Sequence, residues 1–202
     1  MDVNANLVRE LRDKTGAGVM DCKKALAESK GDLEQAARWL REKGIAQAAK
    51  RAGRVASEGS VGAYIHAGGK LGVLVEVNCE SDFVAKTPEF QTLVKEIAMQ
   101  IAAQNPRCVR REQLAPELVE QERQIYASQS AGKPDQVIAK IVEGKLEKFY
   151  RDVVLEEQPW VRDPNRTIRE LLGEYTGKLG EKIEIRRFSR FQLGENLDGR
   201  AA

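Results

Sequence analysis

The spacing of apolar residues changes near residue 57, and this change constrains the fold more than any other feature. Before that point apolar residues recur every three or four positions, which is typical of amphipathic helices. From Val61 to Cys79 they alternate with other residues, as in strands, around a Gly68-Gly69 pair that suits a hairpin turn. Further helical spacing follows, and the last predicted strand carries Ile183, Ile185 and Phe188. This order predicts an α+β fold rather than a doubly wound sheet.

Residues 1–54 are predicted to form a domain of three short helices. The first helix stops at Thr15-Gly16-Ala17-Gly18, where two glycines supply backbone freedom. The third starts at Asp32, a good N-cap with Gln35 three residues later. The segment carries twelve basic and eight acidic side chains, so we expect it to meet an acidic partner surface. The apolar stripes of the three helices contain Leu7, Val8 and Leu11, then Val19, Cys22 and Leu26, then Leu33, Ala36, Ala37 and Leu40.

Residues 55–202 are predicted to form a second domain, an antiparallel sheet core with flanking helices. On the second hairpin strand, Val73, Val75 and Val77 belong to the core face together with Leu71 and Cys79. Thr87-Pro88 provides an N-cap followed by proline in the first turn of an amphipathic helix. A helical hairpin is expected at about 113–152, with its turn at Ala131-Gly132-Lys133-Pro134.

Composition excludes several function classes. With 33 basic and 31 acidic residues the net charge is +2, which argues against a protein that coats duplex nucleic acid. The three cysteines lack metal-binding spacing, and His66 is the single histidine, so we expect no metal and no cofactor. Gly173 to Lys178 has too few residues between its glycines for a phosphate-binding loop. Without a leader or an apolar run of 18 residues, a cytoplasmic protein that does not bind membranes is expected.

The most unusual segment is residues 78–86, called here the aromatic loop, which joins a core strand to an amphipathic helix. In one interpretation Phe83 caps the core and Asp82 satisfies backbone groups of the loop. In the other, an exposed aromatic side chain beside a carboxylate enters a hydrophobic slot in a partner. Spacing alone leaves both open. A catalytic pair of Cys79 with His66 is also conceivable, although a buried Cys79 and a solvent-facing His66 are favoured.

Two long motifs resemble signatures of the elongation factor Ts family. The first is Thr15-Gly16-Ala17-Gly18-Val19-Met20-Asp21-Cys22-Lys23-Lys24-Ala25-Leu26. The second is Glu76-Val77-Asn78-Cys79-Glu80-Ser81-Asp82-Phe83-Val84-Ala85. Segments at Ser130 to Pro134, Val142 to Lys145 and Gln158 to Val161 are also similar, so the resemblance covers nearly the whole chain.

The resemblance implies a non-covalent guanine-nucleotide exchange factor for elongation factor Tu, not an enzyme. It implies that the three-helix unit is similar to a ubiquitin-associated domain and docks on the nucleotide-binding domain of that GTPase. Phe83 would then be a wedge and Asp82 would disturb magnesium coordination, with Ser81 and Val84 shaping the loop. By the same match, the docking surface would include Thr15, Gly16, Gly18, Met20, Asp21 and Lys23.

Two departures from the family pattern matter. Position 81 is serine where threonine is usual, which keeps the hydroxyl but loses some side-chain stiffness. The chain also resembles the short form of the family, which implies a homodimer that associates through its sheets. An unpaired sheet edge independently favours such a dimer.

Two alternatives from other classes remain. A helix-turn-helix module would bind nucleic acid through basic residues, whereas the resemblance implies no direct nucleic-acid contact. Those residues are Lys43, Lys50, Arg51, Arg54, Arg186, Arg187 and Arg190. An enzyme dependent on Cys79 would show turnover that is sensitive to thiol reagents.

Overall fold

The structure is a computed structural model that describes residues 4–195. Its helices are α1 (Ala5–Thr15), α2 (Val19–Glu28), α3 (Leu33–Arg51), α4 (Asp82–Ala85), α5 (Pro88–Gln104), α6 (Pro116–Gln129), α7 (Asp135–Val153) and α8 (Ile168–Leu179). Its strands are β1 (Glu58–Ile65), β2 (Leu71–Cys79), β3 (Pro159–Trp160), β4 (Asp163–Thr167) and β5 (Glu184–Gln192). Short 3₁₀ helices lie at Arg111–Gln113 and Leu155–Glu157. Strands β1, β2 and β5 form one sheet in the order β1-β2-β5, and β3 pairs with β4. The predicted α+β class is confirmed.

The described residues divide into two compact units. The first contains residues 4–60, 77–93 and 169–184, and the second contains residues 61–76, 94–168 and 185–195. The predicted domain boundary at residue 54 lies shortly after α3, which ends at Arg51. Residues 1–3 and 196–202 of the predicted domains lie outside the described residues.

Local capping signals define several helix starts in the first unit. The Asp32 carboxylate accepts hydrogen bonds from the backbone N–H groups of Glu34 and Gln35, both at 2.9 Å, as an N-cap does. Helix α5 begins at Pro88, and the Thr87 hydroxyl accepts a hydrogen bond from the Phe90 N–H at 3.2 Å. Both predicted helix starts are therefore confirmed.

The three N-terminal helices enclose the small shared core that the apolar stripes predict. Its buried residues are Val8, Leu11, Cys22, Ala25, Leu26 and Ala36. Val19 differs from the prediction, because it is 43% exposed. It is the first residue of α2, one turn before the buried stripe begins, so the neighbouring helices do not cover it.

The β1–β2 hairpin forms with its turn at Gly68-Gly69, and both glycines adopt positive φ angles. The predicted core face of β2 is buried at Val73, Val75, Val77 and Cys79, whereas Leu71 is half-buried. On β1 the apolar face is exposed instead, since Val61 and Ile65 are each 66% exposed. The opposite face carries Gly62, where an added Cβ would lie 2.3 Å from Cγ1 of Val94. Helix α5 therefore covers the glycine side of β1.

The helical hairpin of the second unit consists of α6 and α7, as predicted. A charged cluster ties its base, because the Arg111 guanidinium binds the carboxylates of Glu147 and Glu157 and stacks on the Tyr150 ring at 4.1 Å. Hydrogen bonds from Arg111 hold the pKa of Glu147 below its usual range. Nearby, the buried Gln100 side chain accepts a hydrogen bond from the Val161 N–H at 2.9 Å. These contacts hold the hairpin and the β3–β4 segment within one unit.

Among residues 4–195, no helix is both long enough and apolar enough to cross a membrane. The same residues contain no group of three or more histidine, cysteine or acidic side chains placed to hold a metal ion.

Candidate functional site

The aromatic loop begins with the last two residues of β2 and contains a single helical turn, α4. Ser81 is the N-cap of this turn, and its hydroxyl accepts a hydrogen bond from the Val84 N–H at 3.4 Å. The Phe83 side chain is 81% exposed, whereas Ala85 is buried. The interpretation in which Phe83 caps the core is therefore wrong for the described chain. The helical turn instead directs the Phe83 ring into solvent, and the buried Ala85 anchors the turn.

Hydrogen bonds also hold the C-terminal end of the aromatic loop. The Thr87 hydroxyl donates to the Val84 carbonyl at 2.7 Å, and the Gln91 side-chain amide donates to the Ala85 carbonyl at 2.7 Å. Both donors belong to the start of α5 or its cap, and α5 is a long helix. The exposed ring of Phe83 is thus carried by a backbone that is fixed on its C-terminal side.

Asp82 lies beside Phe83 and keeps its charge. Its carboxylate accepts a hydrogen bond from the Lys86 ammonium group at 2.7 Å, one helical turn later. This bond lowers the pKa of Asp82 and raises the pKa of Lys86. The Asp82 side chain is about half exposed, so an approaching group can compete for the carboxylate. The loop therefore presents an ionised carboxylate next to an exposed aromatic ring.

Glu181, which the sequence analysis did not single out, holds the N-terminal side of the aromatic loop. The Glu181 carboxylate accepts hydrogen bonds from the backbone N–H groups of Glu80 and Ser81, both at 3.0 Å. It also accepts a hydrogen bond from the Ser81 hydroxyl at 2.6 Å. Glu181 is a hundred residues away along the chain, so no local pattern indicates these contacts.

Glu80 makes the reciprocal contact. Its carboxylate accepts a hydrogen bond from the Lys182 N–H at 2.6 Å and faces the Arg54 guanidinium at 3.3 Å. The bond from the Lys182 backbone, followed by the charge of Arg54, lowers the pKa of Glu80. Residues 80–81 and 181–182 are thus joined by two carboxylates that each bind the backbone of the other segment.

Cys79 does not have the properties of a nucleophile. It is completely buried, and burial together with the nearby Glu181 charge raises the pKa of its thiol to about 11. Its Sγ donates to the Ser81 carbonyl at 3.1 Å. His66 is exposed, and its ring Nδ1 lies 2.9 Å from the Tyr64 hydroxyl. The thiol is therefore protonated, and Cys79 acts as a packing residue at the start of the aromatic loop.

The second predicted site lies at the turn between α1 and α2. Gly16 ends α1 in the left-handed conformation with φ of 66°, and the Thr15 hydroxyl donates to the Leu11 carbonyl at 2.7 Å. The Lys178 side chain lies against Gly16, where an added Cβ would be 3.0 Å from its Cε. Gly18 then begins α2 as its N-cap residue. Gly16 is therefore needed for the turn, where its positive φ favours glycine, and it also lies against the Lys178 side chain of α8.

The exposed surface after this turn combines apolar and basic groups. Met20 is 74% exposed and Lys23 is exposed, so both are free to contact another molecule. Asp21 differs, because its carboxylate forms an ion pair with Lys43 of α3. The Lys43 ammonium in turn lies 5.2 Å from the centre of the Trp39 ring. Asp21 thus has a partner within the chain.

A close helix contact connects the three N-terminal helices to α8. An added Cβ at Gly44 of α3 would lie 2.9 Å from the carbonyl oxygen of Gly173 in α8. The Arg51 guanidinium also donates to the Thr176 carbonyl at 3.3 Å. The α8 segment therefore contacts the α1–α2 turn through Lys178 and the aromatic loop through Glu181, and both candidate segments belong to one unit.

Several residues of the nucleic-acid alternative are engaged within the chain. The Arg186 and Arg187 guanidinium groups both bind the Glu76 carboxylate, at 3.1 and 2.6 Å. Lys43 and Arg54 are paired with acidic residues as described above. These ion pairs offset part of the positive charge that a nucleic-acid surface would need for phosphate binding.

The chain is similar in sequence to a family of known proteins. Residues 23–195 match the family model described as Elongation factor TS. Elongation factor Ts of Thermoanaerobacter sp. (strain X514) is 57% identical over 198 residues, covering 97% of each chain. Elongation factor Ts of Geobacter sulfurreducens is 56% identical over 200 residues, covering 98% of this chain and 93% of that protein. Elongation factor Ts of Desulforamulus reducens is 53% identical over 201 residues, with the same coverage.

The matches to the relatives extend over nearly the whole chain, and the family model covers the second motif and the end of the first. The fold and the comparisons thus define a translation elongation factor. The chain belongs to the elongation factor Ts family.

Proposed function

We propose that this chain promotes the release of GDP from elongation factor Tu, so that GTP can bind in its place. The observation that carries the proposal is Phe83, an 81% exposed ring beside the ionised Asp82 on a loop held at both ends. Burial of such a ring in a partner would be stabilising, because its apolar surface would leave water. The similarity to the relatives shows membership in the family, and the step on the GTPase is our proposal.

Phe83 acts by inserting into an apolar slot of the GTPase. A large, rigid aromatic side chain gains much contact area on burial and loses few torsions, which makes it an effective anchor. Its position on a short helical turn lets the ring project beyond the loop backbone. Insertion moves the elements that line the slot and so weakens their hold on the nucleotide.

Asp82 acts through its charge. A carboxylate brought near the magnesium ion of the GTPase competes with the phosphate oxygens and water for that hard cation. The nucleotide then loses the ion that neutralises its phosphates, which lowers its affinity. Lys86 neutralises Asp82 in the free protein, so Asp82 has to exchange this partner for the new one. No covalent bond is made or broken, and the proposed activity is not that of an enzyme.

The α1–α2 turn and the start of α2 provide the docking surface of the proposed complex. Met20 and Lys23 supply exposed apolar and positive groups, whereas Thr15, Gly16 and Gly18 maintain the turn that presents them. Asp21 contributes by its ion pair with Lys43. The excess of basic residues in residues 1–54 favours docking on an acidic surface of the GTPase.

We also propose that the protein acts as a homodimer. Five large apolar residues are exposed near the sheet: Val61, Ile65, Leu74, Phe191 and Leu193. Several of them line a groove of about 500 Å³ next to the hairpin turn. Because β1 and β5 are the edges of the sheet, a second copy could extend it. Sedimentation should give a dimer for the native chain and monomers for Leu74→Asp, and a monomeric native chain would contradict the dimer.

The test of the exchange function is stopped-flow release of a fluorescent GDP analogue from elongation factor Tu at fixed free magnesium. We expect substoichiometric amounts of the chain to accelerate release. Asp82→Asn, which keeps the shape of the side chain but removes its charge, should reduce the acceleration. Added magnesium should reduce the difference in GDP release rate between the native chain and Asp82→Asn. If the native chain gives no acceleration, the proposal is wrong and nucleic-acid binding becomes the next hypothesis to measure.

Linkage provides a second check on the same mechanism. A factor that weakens GDP binding must itself bind less tightly when GDP is present, because the coupling between two ligands is reciprocal. The chain should therefore bind nucleotide-free elongation factor Tu more tightly than the GDP-bound form. Equal affinities for the two forms would exclude any exchange mechanism that acts through coupled binding.

We propose a cytoplasmic location, no requirement for a cofactor and no direct contact with nucleic acid. The engagement of Arg186 and Arg187 by Glu76 supports the last point.

A further inference from the structure

The exposed ring and the short helical turn do not by themselves fix the conformation of the aromatic loop. Because Phe83 points into solvent, it contributes almost nothing to fixing the loop in place. Four-residue α4 is also too short to be stable by itself, since helices of this length lack cooperative hydrogen bonding. Some other part of the chain has to define the loop conformation.

Glu181 contacts the loop at the point where its conformation is set. One carboxylate oxygen, Oε2, accepts both backbone N–H groups that follow β2, those of Glu80 and Ser81. The other, Oε1, accepts the Ser81 hydroxyl at 2.6 Å. The Ser81 hydroxyl in turn accepts the Val84 N–H and so begins the helical turn that carries Phe83. A single side chain therefore orients the cap and the two peptides before it.

The segment that carries Glu181 is itself well defined. Helix α8 ends at Leu179, and Gly180 adopts φ of 75°, the left-handed conformation that commonly terminates a helix. Two residues later the Lys182 N–H donates to the Glu80 carboxylate at 2.6 Å, and the Lys182 ammonium donates to the Arg54 carbonyl at 3.0 Å. Glu181 is thus placed by a helix end, a glycine turn and the reciprocal contact of its neighbour.

We propose that Glu181 is a positioning residue for exchange, because its hydrogen bonds to residues 80–81 hold the aromatic loop in the shape that the GTPase binds. The proposal rests on the function proposed above and adds to it a residue outside the loop. Physically, a loop that is already ordered does not lose conformational entropy on binding. If only a fraction of the free molecules has the competent loop shape, the apparent affinity equals the intrinsic affinity multiplied by that fraction.

The first measurement does not depend on elongation factor Tu. Amide hydrogen exchange of the isolated protein, followed by NMR, should be at least about tenfold faster at Glu80, Ser81 and Val84 in Glu181→Ala than in the native chain. Amides in the core of α1 and α2 should keep their native rates. Unchanged exchange at these three amides would overturn the proposal, because the loop would then be ordered without Glu181.

The second measurement follows GDP release as a function of the concentration of the chain. For Glu181→Ala we expect the half-saturating concentration to rise about tenfold while the maximal rate changes by less than about twofold. Glu174→Ala is the matched control, since it removes a carboxylate from α8 that faces Arg41 and not the loop. A similar loss in both variants would indicate a general structural effect and would overturn the positioning role.

A conservative variant tests the hydrogen-bond geometry. In Glu181→Gln the side-chain carbonyl can still accept from the two backbone N–H groups, and the amide can donate to the Ser81 hydroxyl. We therefore expect this variant to remain within about threefold of the native half-saturating concentration. If the half-saturating concentration rises as much in Glu181→Gln as in Glu181→Ala, the charge of Glu181 and not its hydrogen bonds to the loop is what matters, and the positioning role is overturned.

A combined variant shows whether Glu181 acts through the two groups that the loop presents. In a background with both Asp82→Asn and Phe83→Ala, Glu181→Ala should change GDP release by less than about twofold, because the positioned charge and ring are already missing. A full tenfold effect in that background would overturn the proposal. If the native chain does not accelerate release at all, the proposed function fails, and the amide-exchange result still decides whether Glu181 orders the loop.

Discussion

Removing the exposed ring of Phe83 should separate activity from stability more clearly than any other substitution in this chain. Since the ring is 81% exposed in the free protein, Phe83→Ala removes few native contacts. The free energy of unfolding should stay within about 0.5 kcal/mol of the native value, as is usual for surface substitutions. Thermal or urea unfolding checks this expectation directly.

The effect on the complex can be worked out from the same exposure. A phenylalanine side chain has roughly 200 Å² of surface to bury, of which about four-fifths is available here. At about 25 cal/mol per Å² this corresponds to an upper limit of about 4 kcal/mol. Alanine retains part of this contact and ordering the ring opposes it, which leaves about 2–3 kcal/mol. The expected decrease in GDP release at subsaturating concentration is therefore roughly 30- to 150-fold.

The assay is stopped-flow release of a fluorescent GDP analogue from elongation factor Tu at fixed free magnesium. Val55→Ala is a suitable control, because Val55 is also an apolar residue with 80% exposure in the same unit. It should release GDP at the native rate. Release by Phe83→Ala within about threefold of native would refute the wedge mechanism, since this corresponds to less than 1 kcal/mol. A large loss of stability would refute the argument that the ring is unpacked.

Three further predictions concern packing and charge. Cys79→Ser should destabilise the fold by about 1–3 kcal/mol through burial of a hydroxyl but leave GDP release near the native rate, as unfolding and stopped-flow measurements would show. Gly44→Ala should destabilise the fold by about 1–3 kcal/mol, because its Cβ meets the backbone of α8. Gly144→Ala in α7 has open space and should stabilise the fold by about 0.5–1 kcal/mol. Urea titrations of the two variants compare these changes. The lowered pKa of Glu147 means that its ion pair stabilises the fold above the ordinary glutamate pKa, and that this stability is lost as pH falls through the lower folded value. The difference in urea midpoint between the native chain and Glu147→Gln should therefore shrink in acid, and a constant difference would contradict the assignment.

Local signals in the sequence predicted those parts of the fold that depend on neighbouring residues. The Asp32 cap and the Thr87-Pro88 start both appear as predicted, because a capping side chain bonds backbone groups only two or three positions away. The same reasoning explains the Gly68-Gly69 turn, where positive φ angles are intrinsic to glycine. The helical hairpin followed from periodicity over two long segments.

Periodicity was less informative about which face of a strand is buried. In β1 the alternating residues Val61 and Ile65 share one face, and that face is exposed. The other face packs Gly62 against Val94, and only the position of α5 makes this the covered side. Alternation defines two faces, and the neighbouring element decides which one is in the core.

The aromatic loop shows the same limit for the candidate site. Its motif indicated Ser81 to Val84 but left open whether Phe83 is buried, which the fold decides. Ser81 and Glu181 are joined by hydrogen bonds although a hundred residues separate them, and no local pattern of charge or spacing marks Glu181. The Asp21 ion pair with Lys43 was likewise not predicted.

By itself, therefore, the sequence determined the order and type of the main elements, the turns that require glycine and the family to which the chain belongs. These depend on interactions over a few residues or on direct comparison of residues. The α4 turn and strand β4 were not predicted. The tertiary structure alone decided that Phe83 is exposed and that Glu181 holds the loop, whereas the Asp82–Lys86 pair spans only one helical turn. Burial and long-range hydrogen bonds exist only after distant segments pack together, and here the end of α8 packs beneath the loop that β2 begins.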